Sequence, residues 1–326
     1  MHQTNIMAQK WGSKPRLDRH FGGAQPSPVP PKRLALISLL AAAPPAGAQA
    51  PDWAVLWQVA GVTLTGPAAL ERGPTGVFWN PAAVVDAPGL AGGLEVLHTP
   101  EVVSLDGLLG ALTYRFSRGV AVGVTAGRIS VADLVRTTTS PIGEGEIPVY
   151  SQFVGAAAGT SIGPLRLGTQ LRLHDGRIDF RADDGVTLDV GIRLEPVGPL
   201  VLAAASHFAT PQFEGLATTD YYAAAEYRIG TSQVWGEPAV ISGRYGVGLR
   251  GTGELEHGVS AGLSFGDRLR VDGGFQRETA YDETAWRLTV GLAFRAGRYV
   301  IAAARGSGLN EIGAAYRIGL TAGLIR

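Results

Sequence analysis

Cysteine is absent from the 326 residues, which excludes a disulfide scaffold and a thiolate metal site. Charge is scarce as well, at 17% of residues, against about a quarter in an ordinary soluble domain. Lysine occurs only at Lys10, Lys14 and Lys32. The whole chain is formally neutral, and its first fifty residues hold six bases and one acid, so residues 51–326 are acidic by five. Nothing in that balance suggests a nucleic-acid partner, which would want a basic face. No apolar run after residue 50 reaches the roughly eighteen residues of a membrane helix. A helical span is excluded there, but a span built from strands is not. The six histidines are scattered without metal-ligand spacing, and no metal or cofactor is expected.

Two enzyme-like patterns are present, and both sit in the wrong context. "GTSIG" (159–163) fits a nucleophile elbow, which needs a strand-to-helix turn. "GVGLRG" (246–251) fits a dinucleotide fingerprint, which must open a helix. Each falls on or beside an alternating strand pattern, so no enzyme is expected.

At the N-terminus, Lys32-Arg33 precedes "LALISLLAAA" and then "PPAGAQA". A basic region, a short apolar run and a small-x-small motif make a secretory signal. The expected cut follows Ala50. Residues 1–31 read as a dispensable extension ahead of it.

Beyond residue 50 the recurring feature is alternation. "GVTLDVGIRL" puts Val186, Leu188, Val190, Ile192 and Leu194 on one face, and Thr187, Asp189, Gly191 and Arg193 on the other. "AWRLTVGLAF" and "IGAAYRIGLTAGL" repeat the pattern. A period of two means β-strands. The second face is glycine, alanine and arginine, which suits a crowded barrel lumen better than the wet face of a soluble sandwich.

The expected fold is all-β: a transmembrane antiparallel barrel of about fourteen strands. The strands are placed near 90–97, 107–116, 119–130, 149–161, 165–175, 184–194, 199–207, 220–229, 239–250, 256–265, 268–277, 284–295, 298–305 and 312–325. Connections mostly alternate short and long, with long ones at 98–106, 131–148, 176–183, 208–219, 278–283 and 306–311. Short turns belong to the periplasm and long loops to the outside, so both ends of the barrel face the periplasm. Residues 230–238 break the alternation, because a short turn is due there.

The inward face collects Arg115, Arg166, Arg172, Arg193, Arg228, Arg244, Arg250, Arg270, Arg287 and Arg317, with Asp189, Glu226 and Asp272. A charge facing lipid at mid-depth would cost about 2–4 kcal/mol. Two readings stay open for these arginines: an internal ion-pair network that braces the barrel, or a path that grips an anionic ligand.

One stretch stands apart, "GPTGVFWNPAAV" at 73–84. Phe78 and Trp79 meet the turn former Asn80-Pro81. Pro81 is suited to start one helical turn over 81–84. Thr75, Val77, Phe78, Trp79, Asn80, Pro81 and Ala82 resemble the N-terminal motif of the PorV/PorQ-type outer-membrane proteins, which are related to the FadL-like hydrophobic-compound transporters. "VADLVRTTT" (131–139) and the pattern over 165–196 resemble the same family, and the likeness covers about 60 to 210. Ala83 stands where that family has glycine. The resemblance implies a fourteen-stranded barrel with its N-terminal segment folded into or under the lumen. Residues 51–89 would be a hatch, with Phe78, Trp79, Asn80, Pro81 and Ala82 at its centre, and 90–326 the barrel. The alternative is a periplasmic tail packed below. Two functions follow from the resemblance: a channel for small hydrophobic or amphipathic molecules, or an adaptor holding a secreted protein or translocon. Both place the chain in outer-membrane lipid of a diderm bacterium.

Overall fold

The computed structural model describes residues 56–325, apart from positions 59, 88, 101–103, 117–118, 138–144, 197, 209–218, 235–236, 252, 281–282 and 308–312. The expected signal and cut site at 1–50 lie outside the described residues. Fourteen antiparallel strands close into one barrel. They are β1 (Leu90–Thr99), β2 (Leu105–Arg115), β3 (Val120–Val131), β4 (Val149–Ile162), β5 (Leu165–Ile178), β6 (Arg181–Leu194) and β7 (Leu200–His207). Then follow β8 (Asp220–Val234), β9 (Glu237–Leu249), β10 (Leu255–Phe265), β11 (Leu269–Ala280), β12 (Glu283–Ala296), β13 (Tyr299–Gly306) and β14 (Ala315–Ile325). Each strand pairs with its sequence neighbours, and β1 closes against β14 from Leu90↔Ile325 to His98↔Tyr316.

The alternation maps onto two physical faces. Leu94, Val96, Leu108, Leu112, Val122, Val124, Leu288 and Val290 are exposed, while Thr113, Thr125, Gln170, Arg172 and Thr289 between them are buried. So wide an exposed apolar band would be unusual on a soluble protein. Around a closed barrel it is the lipid-facing belt. Exposed Tyr114, Phe116, Tyr227 and Tyr299 lie toward one end, and Trp286 and Tyr316 toward the other. Aromatic girdles of this kind mark the two interfaces.

Three expected connections need correction. Residues 230–238 are not a long loop. β8 runs to Val234 and β9 starts at Glu237, with a register shift between Arg228 and Thr231. The turn there is short, as the alternation requires, and the bulge hid the strand's period. The expected loops at 176–183 and 278–283 are mostly strand: the β5–β6 ladder continues to Ile178↔Arg181 and the β11–β12 ladder to Ala280↔Glu283. Asp175, Arg177, Arg181, Asp183 and Asp184 erase the apolar alternation, yet backbone pairing does not depend on it. "GTSIG" falls across the β4 end and its turn, and "GVGLRG" on the end of β9, so neither opens a helix.

Turns joining the shorter ends carry glycine with positive φ, 57° at Gly163 and 60° at Gly297, as tight hairpins need. The sidedness has a direct check. An epitope inserted within 139–147 should bind antibody on intact cells, and one at Gly163-Pro164 only after permeabilisation. Binding at the second site alone would invert the topology.

Candidate functional site

Residues 56–87 precede β1 and pack against inward-facing residues of the wall. Glycine and proline cut this segment into single turns: 3-10 turns at Gly61–Thr63 and Ala68–Leu70, an α-turn at Gly73–Gly76 and a 3-10 turn at Pro81–Asp86. Pro74 and Pro81 stand at the start of the last two, where a missing N–H costs nothing. Asn80 is extended (φ −143°, ψ 107°), and its Oδ1 accepts the Ala82 N–H at 3.0 Å. Its Nδ2 donates to the Ala69 carbonyl at 2.6 Å. Ala83, where the resembling family has glycine, fits without strain, its N–H donating to the Asn80 carbonyl at 2.9 Å.

This turn rests on a flat patch of wall. Gly168 and Gly191 face each other across β5 and β6. A Cβ at Gly168 would overlap the Pro81 carbonyl, and one at Gly191 would overlap Asn80 Oδ1. Only glycine at both positions admits the turn.

Phe78 and Trp79 drive into an aromatic cluster. Phe78 stacks on Phe153 of β4 (5.2 Å) and meets Trp57, Trp79 and His207 at 5.0, 4.8 and 4.9 Å. Trp79 stacks on His207 at 5.8 Å, and Trp57 Nε1 donates to Ser151 Oγ at 2.9 Å. Burial of each such side chain contributes roughly 1.5–3 kcal/mol. The Arg172 guanidinium lies 4.4 Å from the Phe78 ring centroid and donates to the Phe78 carbonyl. It also pairs with Asp189 at 2.5 Å, with both side chains fully buried.

Toward the short-turn end, charge pairs tie the segment to the wall. Asp86 accepts from Arg166, and from Arg193 at 2.6 Å. Arg193 also donates to the Glu71 carbonyl at 2.6 Å. Arg72 approaches Glu195 and Glu226 at 3.5 and 3.8 Å. Thr75 Oγ1 donates to Glu95 at 2.6 Å, and Glu95 pairs with Arg317. Burial raises the Glu71 carboxyl above its ordinary value, against the opposing pull of Arg317. Burial lowers Arg72, with Arg193 adding to the effect.

The arginines read from sequence therefore fall into groups. Arg166, Arg172 and Arg193 meet the N-terminal segment, and Asp189 pairs with Arg172 behind it. Arg244 bridges Glu226 and Asp272 at 2.9 and 2.8 Å within the wall, and Arg228 and Arg270 join those same acids. Arg250 pairs with Asp220 and Glu256 near the opposite end. Arg287 is buried and donates to Gln276 at 3.3 Å. Arg115 stands at the short-turn end of β2. Sequence reasoning missed Asp86, Glu95, His207 and the glycine pair. A glycine at the same inward phase in consecutive strands was the available signal for the last.

Against solved structures, the chain matches the Ralstonia pickettii toluene transporter TbuX, with a TM-score of 0.50 at 12% identity over 78% of this chain and 96% of that one. A Pseudomonas aeruginosa FadL homologue matches with a TM-score of 0.48 at 12% identity, over 79% and 96%. The chain is an outer-membrane β-barrel. At such identity the likeness extends to the fold of this barrel and no further. No family model matches the chain, and no curated protein does. The PorV/PorQ resemblance rests on sequence motifs alone.

Proposed function

We propose that the chain is a plugged outer-membrane channel for small hydrophobic or amphipathic molecules. In this reading residues 51–89 are the plug and 90–326 the barrel wall, with 1–50 removed. One observation carries it: the segment holding Phe78, Trp79 and Asn80 is buried against inward-facing residues of β4, β5 and β6, so it occupies lumen that a solute would otherwise cross. TbuX, a toluene transporter of the same barrel type, motivates the apolar class of cargo. The arginines serve as bracing, because Arg166, Arg172, Arg193, Arg244 and Arg287 are matched to acids, carbonyls or amides rather than left bare toward a path. The adaptor alternative has the motif resemblance and nothing further in its favour.

The test is Trp79→Ala combined with Asn80→Ala. The barrel keeps its strand pairing, and the plug loses its turn closure and one aromatic anchor. At matched surface expression the double variant should admit more small apolar solute and sensitise cells to hydrophobic antibiotics. Unchanged permeability with an intact barrel would place the segment off the permeation route.

A further inference from the structure

The Pro81–Asp86 turn of the plug presses on β2–β6, while the stretch before it touches the far wall only in places. Two cavities lie between it and the opposite wall. The outer one, about 60 Å³, is lined by Leu64, Trp79, Tyr222 and Ser260, with the Arg250–Glu256 pair at its edge. The inner one, about 230 Å³, is lined by Glu71, Arg72, Glu95, Arg270, Asp272 and Arg317. Thr65 lines both. Its γ-methyl sits so close to Gly291 of β12 that a Cβ there would stand 2.5 Å from it. Along β12, Thr289 borders the outer cavity, and Gly291 and Ala293 the inner one. Thr65 therefore stands where the two spaces would join, against wall that has no side chain.

We propose that the permeation path runs along the β9–β13 wall and that Thr65 is its gate. The inference rests on the channel reading and adds a cargo class to it. The inner cavity is bordered by three acids and three bases, and the outer one by a single ion pair, so the lining of the path is balanced in charge. Selectivity in pores follows such lining charge and width. Trp79 Nε1 and Ser260 Oγ have no hydrogen-bond partner among the described residues, and both residues border the outer cavity. A permeant bringing an acceptor would satisfy them. The path suits an uncharged molecule with an apolar body and a carbonyl or hydroxyl group.

The absence of native cysteine makes thiol labelling specific. Ala302 of β13 borders the inner cavity. In Ala302→Cys protein, a membrane-impermeant thiol reagent added outside intact cells should react slowly. It should react severalfold faster when Thr65→Ser or Thr65→Gly is added, the first removing only the methyl. In planar bilayers the Thr65 variants should conduct severalfold more than the parent, with little preference between potassium and chloride. Heat-modifiable gel migration certifies each barrel. Equal labelling rates whatever stands at 65 would overturn the gate, and strong ion selectivity would overturn the uncharged class. If Trp79→Ala with Asn80→Ala raises permeability while the Thr65 variants do not, the channel stands and this path fails. If all variants are silent, both fail.

Discussion

Replacing Gly168 or Gly191 with valine expels the Asn80-Pro81 turn from the barrel wall. The two glycines are cross-strand partners, and the atoms a side chain would strike are the Pro81 backbone and Asn80 Oδ1. Neither can yield: the carbonyl belongs to a proline-fixed turn, and Oδ1 is held by the Ala82 N–H. Once the turn lifts, Asn80 loses its bond to Ala69, and Phe78 and Trp79 forfeit burial of roughly 1.5–3 kcal/mol each. The strands themselves do not suffer, since valine favours extended backbone. Proteolysis in detergent should then cut within 56–87 while the barrel core resists, and solute flux should rise beyond that of the Trp79→Ala, Asn80→Ala pair. Valine variants with wild-type flux and an uncut segment would mean that the turn has another seat.

The strand count was legible because lipid enforces alternation on every spanning segment, as in Val186 to Leu194. It became illegible where lipid stops. The β5–β6 ladder continues through Asp183 and Asp184, where backbone hydrogen bonds hold without an apolar face. The turn at Asn80 was also legible, since its asparagine and proline act locally. Its docking was not. The Gly168–Gly191 seat depends on register between two strands, and Asp86 gains its meaning only when folding places it between Arg166 and Arg193. An inward arginine is readable from phase alone, but its partner is not.

Asp189→Ala should destabilise the barrel more than any other single change to its charges. Arg172 and Asp189 are both fully buried, and Asp189 also accepts the Phe208 N–H at 2.8 Å. Removing the acid strands a guanidinium in the aromatic cluster, a loss of about 3–5 kcal/mol. Removing both charges, as Arg172→Met with Asp189→Leu, should recover much of it, because an apolar pair needs no compensating partner. The readout is the urea midpoint for loss of heat-modifiable migration in wild type, single and double variants. A double variant as weak as the single would mean that the ion pair is not the source of the loss, and that the Phe208 contact is.

The link from Thr75 through Glu95 to Arg317 bears on assembly. Glu95 is on the first strand and Arg317 on the last, 222 positions apart, so their pairing exists only once the cylinder is sealed. Seams of such long contact order are late and slow events in folding. Thr75 donates to the same carboxylate. The final seam thus includes a side chain from the N-terminal segment, and a cylinder closed without that segment in place would lack one bond to this carboxylate. Seating of the N-terminal segment and sealing of the barrel draw on a single carboxylate, so that loss of Glu95 would weaken both at once.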